Sequence, residues 1–169
     1  MPDHAFELSF DPASDAAIEA QWLALQGAGI PSQADHRSMT NAPHLTLVAA
    51  SPIAEGLVEP VAARIGPLLP LSLRLVGTVV LGTGPRVTVA HLVEPSSDLI
   101  DAVTWLRTQV SAVRHPLWTP HLTLARRVPL RRLPEVFTAL ASTTTPPSVL
   151  ATRLRWWDPA AEAIVELVQ

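Results

Sequence analysis

The pentapeptide Pro-His-Leu-Thr-Leu occurs twice in this sequence, at residues 43–47 and again at 120–124. In an extended strand, side chains alternate between faces. His44 and Thr46 then share one face and Leu45 and Leu47 the other; the same holds for His121 and Thr123 against Leu122 and Leu124. Each copy presents an imidazole beside a hydroxyl from a strand anchored by two leucines. Histidine can give or take a proton near neutral pH. If the two strands meet, one imidazole can remove a proton from water or a hydroxyl while the other protonates a leaving oxygen. Two threonine hydroxyls can hold the non-bridging oxygens of a phosphoryl group between them. This acid–base pair suits phosphodiester transfer, above all on a strained 2′,3′-cyclic phosphate, and needs no metal.

Composition removes the main competing chemistries. Cysteine and tyrosine are absent and all twelve cationic residues are arginine, so disulfides, thiolates, phenolic nucleophiles, Schiff bases and nucleotidyl-lysine intermediates are unavailable. Zinc wants three or four protein ligands. The sequence has no His-x-x-x-His and no acidic partner near either motif, so neither a metal nor a cofactor is expected. Residues 1–85 hold three arginines and eight acids, and residues 86–169 hold nine arginines and seven acids. A long polyanion needs a basic stripe. This balance favours a nucleotide or an RNA end over extended duplex binding. The N-terminus MPDHAFELSF lacks the basic and apolar blocks of a signal peptide, and no apolar run reaches a membrane span, so a soluble cytoplasmic monomer is the expectation.

The elements that must position the motifs follow from periodicity. Phe6, Leu8 and Phe10 alternate as a strand. Asp11-Pro12 opens a helix that runs through Ile18, Trp22 and Leu25 to Gly27 and Gly29. A polar stretch leads to the first motif strand, at 43–49. A helix from Ser51 carries Leu57, Val61 and Ile65. Strands are expected at 71–76, 78–81 and 87–92, a helix from Ser96 or Ser97, the second motif strand at 118–128, a short helix from Pro134, and closing strands at 150–157 and 163–168. The order predicts an α+β domain with an internal duplication, its two lobes falling at roughly 1–92 and 93–169.

With these residues in place, the chain resembles the 2H phosphoesterase superfamily, whose signature is two H-x-T/S-x motifs, and within it the 2′-5′ RNA ligase / cyclic phosphodiesterase-like branch. The matching stretches are PHLTLVA at 43–49, TPHLTLARRV at 119–128 and the strand-turn-strand LRLVGTVVLGTGPRVTVAHL at 73–92. The resemblance spans essentially the whole chain. It implies a bilobal fold of two antiparallel-rich β lobes related by a pseudo-two-fold axis, with helices outside and a central cleft. It also implies metal-independent hydrolysis, or reversible formation, of bonds at ribose 2′ oxygens, with His44 and His121 catalytic.

Relatives often carry a phosphate-holding arginine soon after the second motif, which corresponds to Arg126. Strict alternation, however, puts Arg126 on the leucine face and Arg127 on the histidine face, so Arg127 is the alternative unless a bulge intervenes. Relatives that stack a nucleobase use an aromatic side chain; here Trp118 and the pair Trp156-Trp157 are the candidates, against core packing. His91 is a possible cleft-lining residue or a structural one. His115 and Arg114 read as solvated loop, and base preference is expected in loops 32–42 and 142–149. Two other classes remain beside the enzyme: a module that binds a nucleotide or RNA end with little turnover, and a structural domain with a vestigial site.

Overall fold

The computed structural model describes residues 3–36, 41–159, 161 and 163–168. Its elements are β1 (His4–Phe10), α1 (Pro12–Gly27), β2 (His44–Ala50), α2 (Val58–Ile65), β3 (Leu71–Leu81), β4 (Arg86–Glu94), α3 (Ser97–Thr108), β5 (His121–Pro129), α4 (Leu133–Ala141), β6 (Ser148–Asp158) and β7 (Ala163–Val168). This is the expected mixture of an antiparallel sheet with helices.

Local chemistry sets most boundaries. The Asp11 carboxylate accepts a hydrogen bond from the Ser14 amide at 2.9 Å and caps α1, with Pro12 in its first turn. Ser96, rather than Ser97, caps α3 through the Leu99 amide at 3.3 Å. The helix expected from Ser51 starts later, at Val58, after a 3-10 turn over Glu55–Leu57. Pro60 explains the delay. A helix begun at Ser51 would drive its ring against the Gly56 carbonyl, whereas here it sits in the first turn. The strands expected at 71–76 and 78–81 are one strand, β3, with a register shift between Leu75 and Gly77. Part of the loop at 32–42 lies outside the described residues.

The strands pair antiparallel in the order β2-β1-β6-β3-β4-β5, and β7 takes the remaining stretch of the β6 edge. The duplication is visible in this order, but a boundary near residue 92 does not divide the sheet. The equivalent units are β1-α1-β2-α2-β3 and β4-α3-β5-α4-β6, which meet at the Gly82–Pro85 turn, where Gly82 has φ 110°. Each unit gives its last strand to the other: β6 pairs with β1, and β3 with β4, while β3 and β6 join the lobes through Leu71–Arg74. The helices cross over as well. α1 and α4 pack together with α1 against β5, and α2 and α3 pack together with α3 against β2. This exchange runs one apolar core through the domain, from Phe6, Leu8 and Phe10 to Leu122, Leu124 and Val128. Among the described residues no helix is long and apolar enough to cross a membrane.

A half-buried charge sits where α1 meets the sheet. Asp15 lies 3.5 Å from Arg153 of β6, its Oδ1 is buried without a hydrogen-bond partner among the described residues, and burial pushes its carboxyl up to about 6 against the opposing pull of Arg153. A carboxyl raised from its ordinary value in the folded state contributes stability at low pH that is lost as pH rises through about 6. Asp15→Asn should therefore raise Tm at pH 7.5 and raise it clearly less at pH 4.5, which lies inside the window between the ordinary carboxylate value and about 6, measured by thermal melts at both pH values.

Candidate active site

His44 and His121 are each the first residue of a motif strand, β2 and β5. These are the two end strands of the sheet path, and they run close to each other. Beyond His44 the seam is closed by main-chain bonds: Ala50 bridges Val113, and the Arg114 amide donates to the Ala49 carbonyl at 2.9 Å.

The duplication extends to the backbone register. On β2 and its neighbour β1, His44 stands opposite Ser9, Leu45 opposite Leu8, Thr46 opposite Glu7 and Val48 opposite Phe6. On β5 and β4, His121 stands opposite Leu92, Leu122 opposite His91, Thr123 opposite Ala90 and Ala125 opposite Val89. In both copies the last leucine of the pentapeptide, Leu47 or Leu124, is the extra residue of a β-bulge. A bulge frees the neighbouring carbonyl of an edge strand from regular pairing, and an indole meets it in each copy. Trp118 Nε1 donates to the Thr46 carbonyl at 3.0 Å, and Trp22 Nε1 donates to the Thr123 carbonyl at 3.0 Å. Trp22 comes from α1 and Trp118 from the loop before β5, so unrelated residues satisfy equivalent carbonyls. Trp118 is thus fixed at the seam by its polar edge.

The imidazoles are held alike. His44 Nδ1 lies 2.8 Å from the Ala42 carbonyl oxygen and His121 Nδ1 lies 2.6 Å from the Thr119 carbonyl oxygen. A carbonyl oxygen only accepts, so Nδ1 carries the hydrogen in both rings, and the lone pair of the neutral ring is on Nε2. The His121 imidazole is held below its ordinary value, first by burial, with the Thr119 carbonyl opposing and the positive charges of His44, His115 and Arg126 reinforcing it.

The bulge also decides between the arginines. One extra residue between Thr123 and Ala125 moves every later side chain by one place, so Ala125 joins the core face and Arg126 the histidine face. Thr88 alone then faces Arg126 and Arg127, a second bulge, in which Arg127 takes a left-handed φ of 58°. Arg126, not Arg127, is the guanidinium whose charge acts on His121.

Other expected residues lie elsewhere. His91 stands opposite Leu122 on the core face, so it does not line the cleft. Its Nε2 and Gln21 Oε1 of α1 are 2.7 Å apart, and burial holds the imidazole below its ordinary value. Gln21 donates in turn to Thr143 and Thr145, which ties the start of the 142–149 loop to the helix side of the sheet rather than to the histidines. Trp156 is buried and stacked on His4, with ring centroids 5.9 Å apart, and is core. Two surface hollows, one bounded by Ala28, Pro134 and Ser142 and one by Glu19, Leu23 and Asn41, hold neither histidine. Among the described residues no three His, Cys, Asp or Glu side chains are grouped to hold a metal.

Three residues at the site were not expected. Glu7 Oε1 lies 3.5 Å from His44 Nε2, and Glu7 Oε2 accepts from Arg155 Nε at 3.0 Å. Nothing local in the sequence joins the two, which lie on β1 and β6. His115 is exposed on the loop before β5, yet it bears electrostatically on His121, a proximity set by the path of the loop.

The match to known proteins agrees with this geometry. Residues 10–162 match the family model described as the 2′-5′ RNA ligase superfamily. The chain belongs to the 2′-5′ RNA ligase superfamily of 2H phosphoesterases. A comparison with curated protein sequences returned no match. Among solved structures, the chain is similar to Usb1 of Kluyveromyces marxianus, with 12% identity, TM-score 0.57 and coverage of 99% of this chain and 98% of that one. It is also similar to LigT of E. coli complexed with NADP+, with 19% identity, TM-score 0.55 and coverage of 98% and 92%. At such identity these likenesses establish the fold: the antiparallel sheet with helices is that of LigT and Usb1.

Trp118→Phe and Trp22→Phe should each lower the unfolding free energy by about 1 kcal/mol, the net worth of one neutral hydrogen bond. Urea titration of both variants checks this, and retained near-native packing should appear as an unchanged m-value.

Proposed function

We propose that this chain is a metal-independent phosphoesterase acting on 2′,3′-cyclic phosphates or 2′-5′ phosphodiester linkages of nucleotides or RNA ends. The observation that carries the reading is the mirrored register of the two motifs: strand, bulge and Nδ1 anchor recur together, leaving two Nε2 atoms at one seam. Superfamily membership supports phosphoester chemistry. Solved relatives support a nucleotide ligand, since LigT has been seen with 3′-AMP and Usb1 with uridine monophosphate.

In this reading His121 is the general base of hydrolysis, because burial keeps its ring neutral at neutral pH. It takes a proton from water as the water oxygen attacks phosphorus. His44 is the general acid: it protonates the ribose oxygen as the phosphorus–oxygen bond of the ring breaks, and the Glu7 carboxylate lies where it can pair with the protonated ring. In the reverse direction the two roles exchange. Thr46 and Thr123 bond the non-bridging phosphoryl oxygens, and Arg126 balances their charge.

Hydrolysis of the four nucleoside 2′,3′-cyclic phosphates in EDTA tests this. Wild type should turn over in chelator, and His44→Ala and His121→Ala should each lower kcat by about 10²–10⁴. Turnover abolished by EDTA would overturn the mechanism, and ligand recovered unchanged after saturating incubation would identify a binding module instead.

The base must be neutral to act, so the acid limb of kcat/KM follows its loss of activity on protonation. With His121 held down, that limb should fall below the ordinary imidazole value of about 6.5, as a property of the coupled pair. A pH–rate profile from pH 4.5 to 9 measures it; a limb above that value would remove His121 from the base role.

A further inference from the structure

The two sides of the site are alike in backbone and unlike in charge. On the β5 side Thr123 stands opposite Ala90, and the permanently charged group that bears on His121 is Arg126. On the β2 side the equivalent of Ala90 is Glu7, opposite Thr46. Its carboxylate is wedged between two groups, with Oε1 3.5 Å from His44 Nε2 and Oε2 3.0 Å from both Nε and Nη2 of Arg155. Glu7 is 8% exposed and Arg155 6%.

Packing does not ask for this ion pair. Burying a pair of charges is seldom better for stability than apolar side chains of the same size, and Ala90 shows that a small apolar residue serves at the matching place in the other unit. The arrangement also has a direction. The guanidinium lies behind the carboxylate, so the reactive nitrogen of His44 meets the negative end of the pair. The site is therefore polarised, negative at His44 and positive around His121.

Hydrolysis of a cyclic phosphate changes the charge of what occupies the site. The substrate is a diester with one negative charge. Water adds, one phosphorus–oxygen bond breaks, and the monoester product loses a second proton above pH about 6. Resting on the reading of this seam as a phosphodiester site, we propose that Glu7, held by Arg155, is a specificity-determining residue that admits the singly charged diester and repels the doubly charged monoester. The repulsion falls more heavily on the doubly charged product than on the singly charged substrate, and so favours product release. Because both charges of the pair are largely shielded from water, the discrimination is little screened by salt.

Binding at pH 8 of a 2′-deoxynucleoside 3′-monophosphate and of its monomethyl ester tests the proposal, since neither probe has a 2′ hydroxyl to attack the phosphorus. Wild type should bind the methyl ester about tenfold more tightly than the monophosphate, a preference of the size that one nearby unit charge produces. Glu7→Gln should abolish most of that preference, chiefly by tightening the monophosphate. Because this change leaves Arg155 buried without its partner, Glu7→Gln/Arg155→Gln removes both charges and should lose the preference too. A wild type that prefers the monophosphate, or folded variants with the preference unchanged, would overturn the proposal alone. Failure of folded wild type to bind either probe would remove the phosphodiester reading, and this proposal with it.

Discussion

Everything at the site depends on how two edge strands are joined without pairing through a regular ladder. β2 and β5 end the path of a six-strand order, and an edge strand presents carbonyls that need partners. Here the carbonyls beside the bulges, at Thr46 and Thr123, receive indole N–H groups from Trp118 and Trp22. The edges are thereby satisfied from across the seam rather than by a further strand. Had β2 and β5 zipped together along their length, the histidine faces would belong to a continuous sheet. Held by two tryptophans and the Ala50–Val113 bridge, they stay neighbours without forming a continuous ladder.

The exchange of strands and helices between the two units reinforces that arrangement. Each unit closes only with the last strand of the other, and α1 and α3 each cover the opposite lobe. The lobes cannot separate without breaking the shared core from Phe6 to Leu124. A catalytic pair drawn from two halves of a chain needs this rigidity, because a misplacement of about 1 Å can cost 10²-fold in rate. On that common frame the charges differ. One wall carries Glu7 and Arg155, the other Ala90 with Arg126 and His115 nearby, so two identical pentapeptides have unequal surroundings.

The sequence alone determined the family, the four motif residues and the sense of most elements. It could do so because those signals are local: a repeated word, a period of two, a capping aspartate before a proline. It also announced the choice between Arg126 and Arg127 without resolving it, since alternation holds only while the ladder is regular. The bulge at Leu124 reversed the parity, and nothing in TPHLTLARRV marks it, because a bulge is fixed by what the partner strand offers. His91 illustrates the same limit from the other side: its type suggested chemistry, but its rung, opposite Leu122, placed it under α1.

Tertiary structure decided where the units divide and which charges meet. A break near residue 92 follows from counting strands along the chain, whereas the elements of the fold repeat as β-α-β-α-β on either side of the Gly82–Pro85 turn, with β4 opening the second copy. The partnership of Glu7 and Arg155 joins residues 148 positions apart in sequence. No local propensity reports such a contact, since it arises only when two strands from opposite ends of the chain lie side by side. The sequence therefore supplied the side chains proposed for the chemistry, through type and spacing. Their protonation roles were left to the fold, because the field at an imidazole depends on charges brought near it through space.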